Sequence, residues 1–242
     1  MGTVLPPGQR AVDGFPRFGT HLHRPPPPVP ADPVIDIGGA VRAPSSVPLA
    51  ALATLPRREL TADFHCVAGW SATGLRWEGV SYAEFHRAIV EPLLAPGTHV
   101  THLVFAGLDG YRSAVTVEDA LDEDVLLADR LDGRPLDGDH GAPVRLLSPK
   151  QYGFVSTKHL CRVEVRTAEP AASYRRLPAV VRVGLRLATP HPRARVWEEE
   201  RHRDLPAWAV RPVYRLLIAP IRSLSARSAR SARSGRPAGA RR

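Results

Sequence analysis

The chain has 242 residues, with 33 Lys or Arg, 24 Asp or Glu and 43% hydrophobic residues. That length suits one large domain or two small ones and can bury a substantial core. Two cysteines exclude a disulfide framework and a four-thiolate zinc site, and no apolar run approaches the roughly 18 residues of a membrane-spanning helix. The opening MGTVLPPGQR has no apolar signal region, so the expected compartment is the cytoplasm. Seven of the nine surplus positive charges lie between Ile221 and Arg242, a stretch with no acid. Its repeated Ser-Ala-Arg predicts a disordered basic tail. Such a tail is either simply solvated or able to touch nucleic acid or an anionic membrane. Arg outnumbers Lys 31 to 2, and both lysines, Lys150 and Lys158, fall within nine residues.

Residues 1–32 are rich in Pro and Gly, including Pro25 to Pro28, and read as an extended arm. VIDIGGAV, after Pro33, alternates and ends in Gly-Gly, which predicts a strand and a turn. Pro48 to Leu55 reads as a short helix with Ser45 or Ser46 as its cap. RELTADFHCV is a strand candidate leading into a loop around Gly69 and Gly74. Ser81 to Leu94 has helical spacing, with Tyr82, Phe85, Ile89 and Leu93 on one side. His99 to Ala106 is β-like, and Thr116 caps a helix start that Asp119 reciprocates. Asp124 to Ala128, a turn at Asp132-Gly133 and a strand at Val144 to Leu147 follow. Leu160 to Val165 and Val181 to Leu187 both alternate, and Arg195 to Leu217 reads as a helix broken at Pro206 and Pro212. Strands and short helices interleave without a βαβ period, so the expected fold is α+β with mixed sheets and short flanking helices.

Dinucleotide, nucleotide-triphosphate, nucleophile-elbow and zinc-protease motifs are all missing. Cys66 stands out instead, at a strand end and followed within thirteen residues by two Trp and three Gly. Glycines there allow close backbone approach, and a thiolate is either a soft metal ligand or a nucleophile. The stretch His140 to Lys158 gathers Arg145, Lys150, Ser156, Thr157 and Lys158 among Gly and Pro turns. A guanidinium, an ammonium and hydroxyls suit a phosphate, although an ordinary surface loop has the same composition. Zinc on His65, Cys66, His159 and Cys161 is a rival, weakened because adjacent strand residues face opposite ways. Cys161 instead fits a core strand with Val163 and Val165.

In order and spacing, LPPGQ, FPRFG, FHCV-GWS-W-GV, DGYRSAVTVEDAL, DVLLADRLDG-PL, HGAPVRL and YGFVSTKHL run from Leu5 to Val165. Together these strings resemble the molybdopterin-binding domain of the sulfite oxidase family. The likeness is greatest to the bacterial branch that includes the protein-methionine-sulfoxide reductase catalytic subunit. The resemblance implies a molybdenum–molybdopterin cofactor, with Cys66 as thiolate ligand and catalytic residue. It also implies two-electron oxygen-atom transfer between Mo(VI) and Mo(IV). Arg145 matches the family's phosphate-binding Arg, and Ser156, Thr157 and Lys158 match the segment that cradles the same group. His140 falls at a polar cofactor contact, and Asp13, Phe15 and Arg17 lie in the stretch that closes over the pterin. Tyr111 and Arg112 are the candidates for the substrate pocket.

The sequence departs from sulfite-oxidising members after the Cys, reading Val67-Ala-Gly-Trp-Ser where they carry an Arg. Sulfite is therefore disfavoured and a small sulfoxide or oxo-type substrate expected. The expected division is an arm at 1–32, a molybdopterin-binding oxidoreductase domain at 33–190, a helical extension at 191–220 and the basic tail at 221–242. With no haem-attachment motif and too few Cys for an iron–sulfur cluster, a separate redox protein must exchange electrons with the site. Nucleic acid is not an expected partner on this reading. The alternative is a non-catalytic cofactor- or nucleic-acid-binding protein that uses its basic tail.

Overall fold

The computed structural model describes residues 4–18, 25–170, 189–216 and 218–220. The alternating stretch 181–187 and the Arg-rich tail lie outside them. Eleven strands among the described residues form two mixed sheets. The first holds β1 (Arg10–Ala11), β4 (Arg57–His65), β5 (Trp70–Ser81), β8 (Leu126–Leu131), β9 (Arg134–Pro135) and β10 (Arg145–Leu147). Its hub is β5, antiparallel to β4 and β8 and parallel to the short β1 of the arm. The second sheet comprises β2 (Val34–Gly39), β3 (Ser45–Pro48), β6 (His102–Gly107), β7 (Arg112–Thr116) and β11 (Leu160–Arg166), in the order β3-β2-β11-β6-β7.

Strand alternation explains where the apolar side chains go. Ile35, Ile37, Phe105, Val163 and Val165 of the second sheet meet Val80, Leu127 and Leu146 of the first in the main core. Their neighbours Trp77, Leu126, Ala128 and Leu147 point to the other face of the first sheet. There Phe15 and Phe18 of the arm and Tyr214 and Ile218 of the C-terminal segment cover them. A sheet apolar on both faces must be covered on both, so arm and extension are structural layers rather than appendages. Each large side chain so buried contributes about 1.5–3 kcal/mol.

Several local expectations are corrected. Ser45 and Ser46 belong to β3 and cap nothing; the Ser46 hydroxyl donates to Asp36 at 2.6 Å. The segment Leu49–Thr54 is a 3-10 helix. Between Tyr82 and Leu93 the chain makes an α turn, a wider π turn and a 3-10 turn. The π turn shifts the phase, so Val90 is buried with Tyr82 and Phe85 while Ile89 and Leu93 are only partly buried. Gly74 lies within β5 rather than in a loop, at φ +67°, and donates its N–H to Asp63 at 2.8 Å. Residues 195–206 are irregular, and a helix occupies 207–216. Pro206 thus precedes that helix instead of breaking it, where its missing N–H costs nothing. The Thr116 cap is present: its hydroxyl accepts from the Asp119 N–H at 3.2 Å and donates to the Asp119 carboxylate at 2.8 Å.

Candidate active site

Strands β4 and β5 are joined by the tight loop Cys66 to Gly69. The Cys66 N–H donates to the Trp70 carbonyl and the Gly69 N–H to the Cys66 carbonyl, both at 2.9 Å. Gly69 takes φ +97°, which a side chain would resist. Two distant residues clasp the loop. The Gln9 amide donates to the Cys66 carbonyl at 3.1 Å. The Arg201 guanidinium donates to the Val67 carbonyl and lies 5.0 Å over the Tyr152 ring. Arg201 is 1% exposed, and its Nε and second terminal nitrogen make no hydrogen bond. Cys66 itself is 6% exposed. Burial pushes its thiol up to about 12, against the opposing pull of an Ala68 backbone hydrogen bond and of the charges on Arg201 and Lys158. The sulfur therefore rests as a thiol, and a bound metal cation is what would make the thiolate the stable form.

Cys66 lines a cavity of about 390 Å³. One wall is apolar, from Phe18, Pro25, Pro27, Phe64 and Phe154. The other carries Arg17, Lys158, Asp139, Ser156, Asp109 and His159. Lys158 donates to the Asp139 carbonyl at 2.6 Å, and Arg17 pairs with the Asp139 carboxylate at 3.4 Å. Burial first, then the charges of Arg145 and Arg17, draw the Lys158 ammonium down to about 7. Arg145 is 0% exposed, and its hydrogen-bond partners among the described residues are carbonyls rather than carboxylates. Its guanidinium donates to the His140 and Ser156 carbonyls at 3.0 Å each, stacked over Phe64 and Trp77 at 5.1 and 5.3 Å. Burial lowers it to about 9. Gly141 holds φ +108°, and a Cβ there would stand 3.1 Å from the Cβ of Lys158 and 3.2 Å from that of Arg145. Arg17, Arg145 and Lys158 thus gather beside Asp139 and Asp109, a predominantly basic setting that a phosphate monoester fits.

The other expected residues are placed as follows. Ser156 lines the cavity, with its hydroxyl accepting from the Ser148 N–H at 3.1 Å. Thr157 faces away, its hydroxyl 2.7 Å from that of Ser113. Phe15 packs on Phe64 at 4.9 Å and under His140 at 4.8 Å, and Asp13 is exposed. His140 ties the arm down: one ring nitrogen lies 2.9 Å from the Phe15 carbonyl and the other 2.7 Å from Asp137. Tyr111 reaches the cavity, donating its hydroxyl to the Phe154 carbonyl at 2.7 Å. Arg112, the first residue of β7, does not; it pairs with Glu164 at 2.9 Å. Lys150 pairs with Asp122 at 2.7 Å. Cys161 sits at a bulge in β11 with its sulfur 3.5 Å from the Ala106 carbonyl. Among the described residues no group of three or more His, Cys, Asp or Glu could hold a metal ion, so the four-residue zinc set does not assemble.

Asp109, Asp139, Gln9 and Arg201 were not singled out as residues of this site, and His159 entered only as a rival zinc ligand. His159 takes φ +52° and its Nδ1 lies 2.6 Å from the Ala142 carbonyl. Only a donor fits there, so the neutral ring keeps Nε2 as an acceptor. Asp109 and Asp139 adjoin motifs already noted, whereas Arg201 lies 134 positions from its partner Val67 and has no local signature.

The family of oxidoreductase molybdopterin-binding domains matches residues 23–174. The catalytic subunit of the protein-methionine-sulfoxide reductase of Xanthomonas axonopodis is 29% identical over 150 residues, covering 56% of this chain and 44% of that protein. Human mitochondrial sulfite oxidase is 30% identical over 200 residues, covering 71% of this chain and 37% of that protein. The crystal structure of the sulfane dehydrogenase SoxCD from Paracoccus pantotrophus superposes with a TM-score of 0.50 at 22% identity, over 68% of this chain and 44% of that one, and so shares the fold. The chain spans under half the length of these reductase relatives. With the matched span covering the Cys66 loop, Arg145 and Lys158, the chain belongs to the molybdopterin-binding oxidoreductases of the sulfite oxidase family.

Proposed function

We propose that this chain is a molybdenum-cofactor-dependent oxidoreductase that reduces a small, neutral sulfoxide-type substrate by two-electron oxygen-atom transfer. Cys66 would ligate the metal, and Arg17, Arg145, Lys158 and Ser156 would hold the pterin phosphate. The carrying observation is the cavity itself: it is lined by the buried Cys66 and by Arg17 and Lys158, with the buried Arg145 close enough to disfavour the Lys158 ammonium. When bound, the cofactor supplies a centre that exchanges one oxygen atom and two electrons with substrate.

The chain's own residues position and exclude. The clasped Cys66 loop fixes the sulfur, which limits reorganisation when the metal's charge changes. Phe18, Pro25, Pro27 and Phe154 exclude water and match an apolar substituent. Val67 and Ala68 follow the cysteine, so the loop itself carries no cation to attract a sulfite dianion, and Arg201 beside it is engaged with the Val67 carbonyl. The Tyr111 hydroxyl is held against the Phe154 carbonyl and pushed up to about 12 by burial first and then Asp109, so it stays protonated and able to orient substrate. Reducing a sulfoxide to a thioether consumes two electrons and two protons and releases water. A separate redox protein would deliver the electrons, since two Cys cannot build a cluster.

Elemental analysis of the full chain, made in a host that synthesises molybdopterin, tests this reading. Molybdenum near one per chain is expected, with reduction of dimethyl sulfoxide by reduced viologen and no oxidation of sulfite. In Cys66→Ser turnover should fall by at least about a hundredfold with the far-ultraviolet spectrum unchanged. Zinc in place of molybdenum, or full activity in Cys66→Ser, would overturn it.

A further inference from the structure

The helix at 207–216 is apolar on two sides. Its inner side lies on the second core through Tyr214, with Ile218 following, and is locked by Arg211–Glu199 and by the His202 ring, which stacks on Tyr214 and approaches its hydroxyl at 2.7 Å. At 100° per residue the opposite side presents Trp208, Ala209, Pro212, Val213 and Leu216 together. Trp208 is 73% exposed, Val213 59% and Leu216 77%. Three large apolar side chains on one turn-aligned face form a patch rather than scattered exposure.

The chemistry next to the patch identifies what it fits. From Leu205 to the last residue the sequence holds nine Arg and no acid, and Arg215 stands exposed at the patch's edge. Nucleic acid would use the arginines and can stack a base on Trp208, but has no use for exposed Val213 and Leu216 on the same helix face. A second copy of this chain would bring the same positive charge against itself. An anionic bilayer surface uses both features: apolar side chains enter the headgroup–acyl boundary while arginines meet the lipid phosphates. Trp suits that depth because its ring is apolar and its N–H polar. Among the described residues no helix is long and apolar enough to cross a membrane, so the contact would be peripheral.

We propose that the 207–216 helix docks the protein on an anionic lipid surface through Trp208, Val213 and Leu216, in a stretch of sequence whose charged residues are all arginines. The inference does not depend on the cavity's chemistry, and the residues it uses lie outside the cavity. Full-length protein is sedimented with vesicles of phosphatidylcholine with and without phosphatidylglycerol. Partition should be at least about tenfold stronger onto the anionic vesicles and fall steeply as salt rises. Trp208→Ser with Leu216→Ser keeps every charge and touches neither core; it should weaken partition by about tenfold and abolish the lipid-induced blue shift of tryptophan emission. Circular dichroism and molybdenum content should match the wild type.

Equal partition of the double variant would overturn the helix's role, leaving attraction to the arginines alone. Absence of any preference for anionic vesicles would overturn the proposal outright. So would single-stranded RNA binding more tightly than vesicles and indifferently to the double variant. A wild-type dimer that the double variant turns into monomer would give the patch to a second copy and overturn it as well.

Discussion

Lys158 is the residue at which geometry and charge bear most directly on cofactor binding. Its ordinary value is 10.5, and in the folded chain it lies near 7, because burial and the neighbouring Arg145 and Arg17 disfavour the ammonium. Between these values the unfolded chain holds more protons than the folded one. The stability of the cofactor-free protein therefore rises with pH across that window. A dianion in the site reverses the preference by pairing with the ammonium. Sulfate, whose charge is constant over this range, should stabilise the cofactor-free protein most where Lys158 is already protonated. Its apparent affinity, read from melting temperature against sulfate concentration, should weaken by up to about thirtyfold between about pH 6 and about pH 8.5. Lys158→Met should flatten that dependence; an unchanged pH dependence in Lys158→Met would place the anion elsewhere. This residue was legible in the sequence because two lysines among 33 basic residues share one stretch. Thr157 beside it was misjudged for the same reason, since proximity in sequence does not say which side chain turns inward. Arg201 could not be read at all: nothing near it suggests that it meets Val67.

Among the elements, β5 carries the site. It pairs with three strands, and Cys66 enters the cavity wall only because β4 ends one residue earlier. Where β5 meets β8 the register shifts at Glu78 and Gly79, and a Cβ on Gly79 would stand inside the contact distance of the Leu127 carbonyl. Gly79→Ala must push β8 away and should cost about 2–3 kcal/mol, lowering the melting temperature by about 4–12 °C. Gly74 in the same strand sits at φ +67° with open space around it, so Gly74→Ala meets strain without a clash and should cost about 1 kcal/mol. Equal melting of the two variants would show that the β5–β8 approach is not what the glycine protects. Most strands were visible as period-2 alternation, the pattern that two half-buried faces impose. The helix expected over 81–94 was visible in kind but not in phase, because one π turn moves Val90 inward and no sequence rule signals that turn.

At the scale of the whole molecule, the segment beyond residue 188 decides whether the fold is the matched domain plus an attachment or one unit. The family match ends at residue 174, and the sequence suggested only a broken helix over 195–217. In the structure Ala194 and Val196 are fully buried in the main core. The Tyr152 N–H donates to the Ala194 carbonyl at 2.9 Å and the Val196 N–H to the Lys150 carbonyl at 3.0 Å. Arg193 grips the Asp119 carboxylate, with its Nε at 3.0 Å, and Arg201 holds the cysteine loop. A chain ending at residue 188 loses all of these together. Exposing the core beneath Val196 costs about 1.5–3 kcal/mol, and leaving the nearly buried Asp119 carboxylate without its guanidinium costs a further about 1–3 kcal/mol. The truncated chain should melt at least about 6 °C lower. Its molybdenum content should fall too, because the Cys66 loop keeps only the Gln9 clasp. Arg201→Ala in the full chain separates the two effects: it leaves Val196 and Asp119 covered, so molybdenum retention should drop with little of the stability loss. Truncation that changes neither melting nor metal content would make the extension a passenger. The clasp on the cysteine loop would then rest on Gln9 of the arm alone.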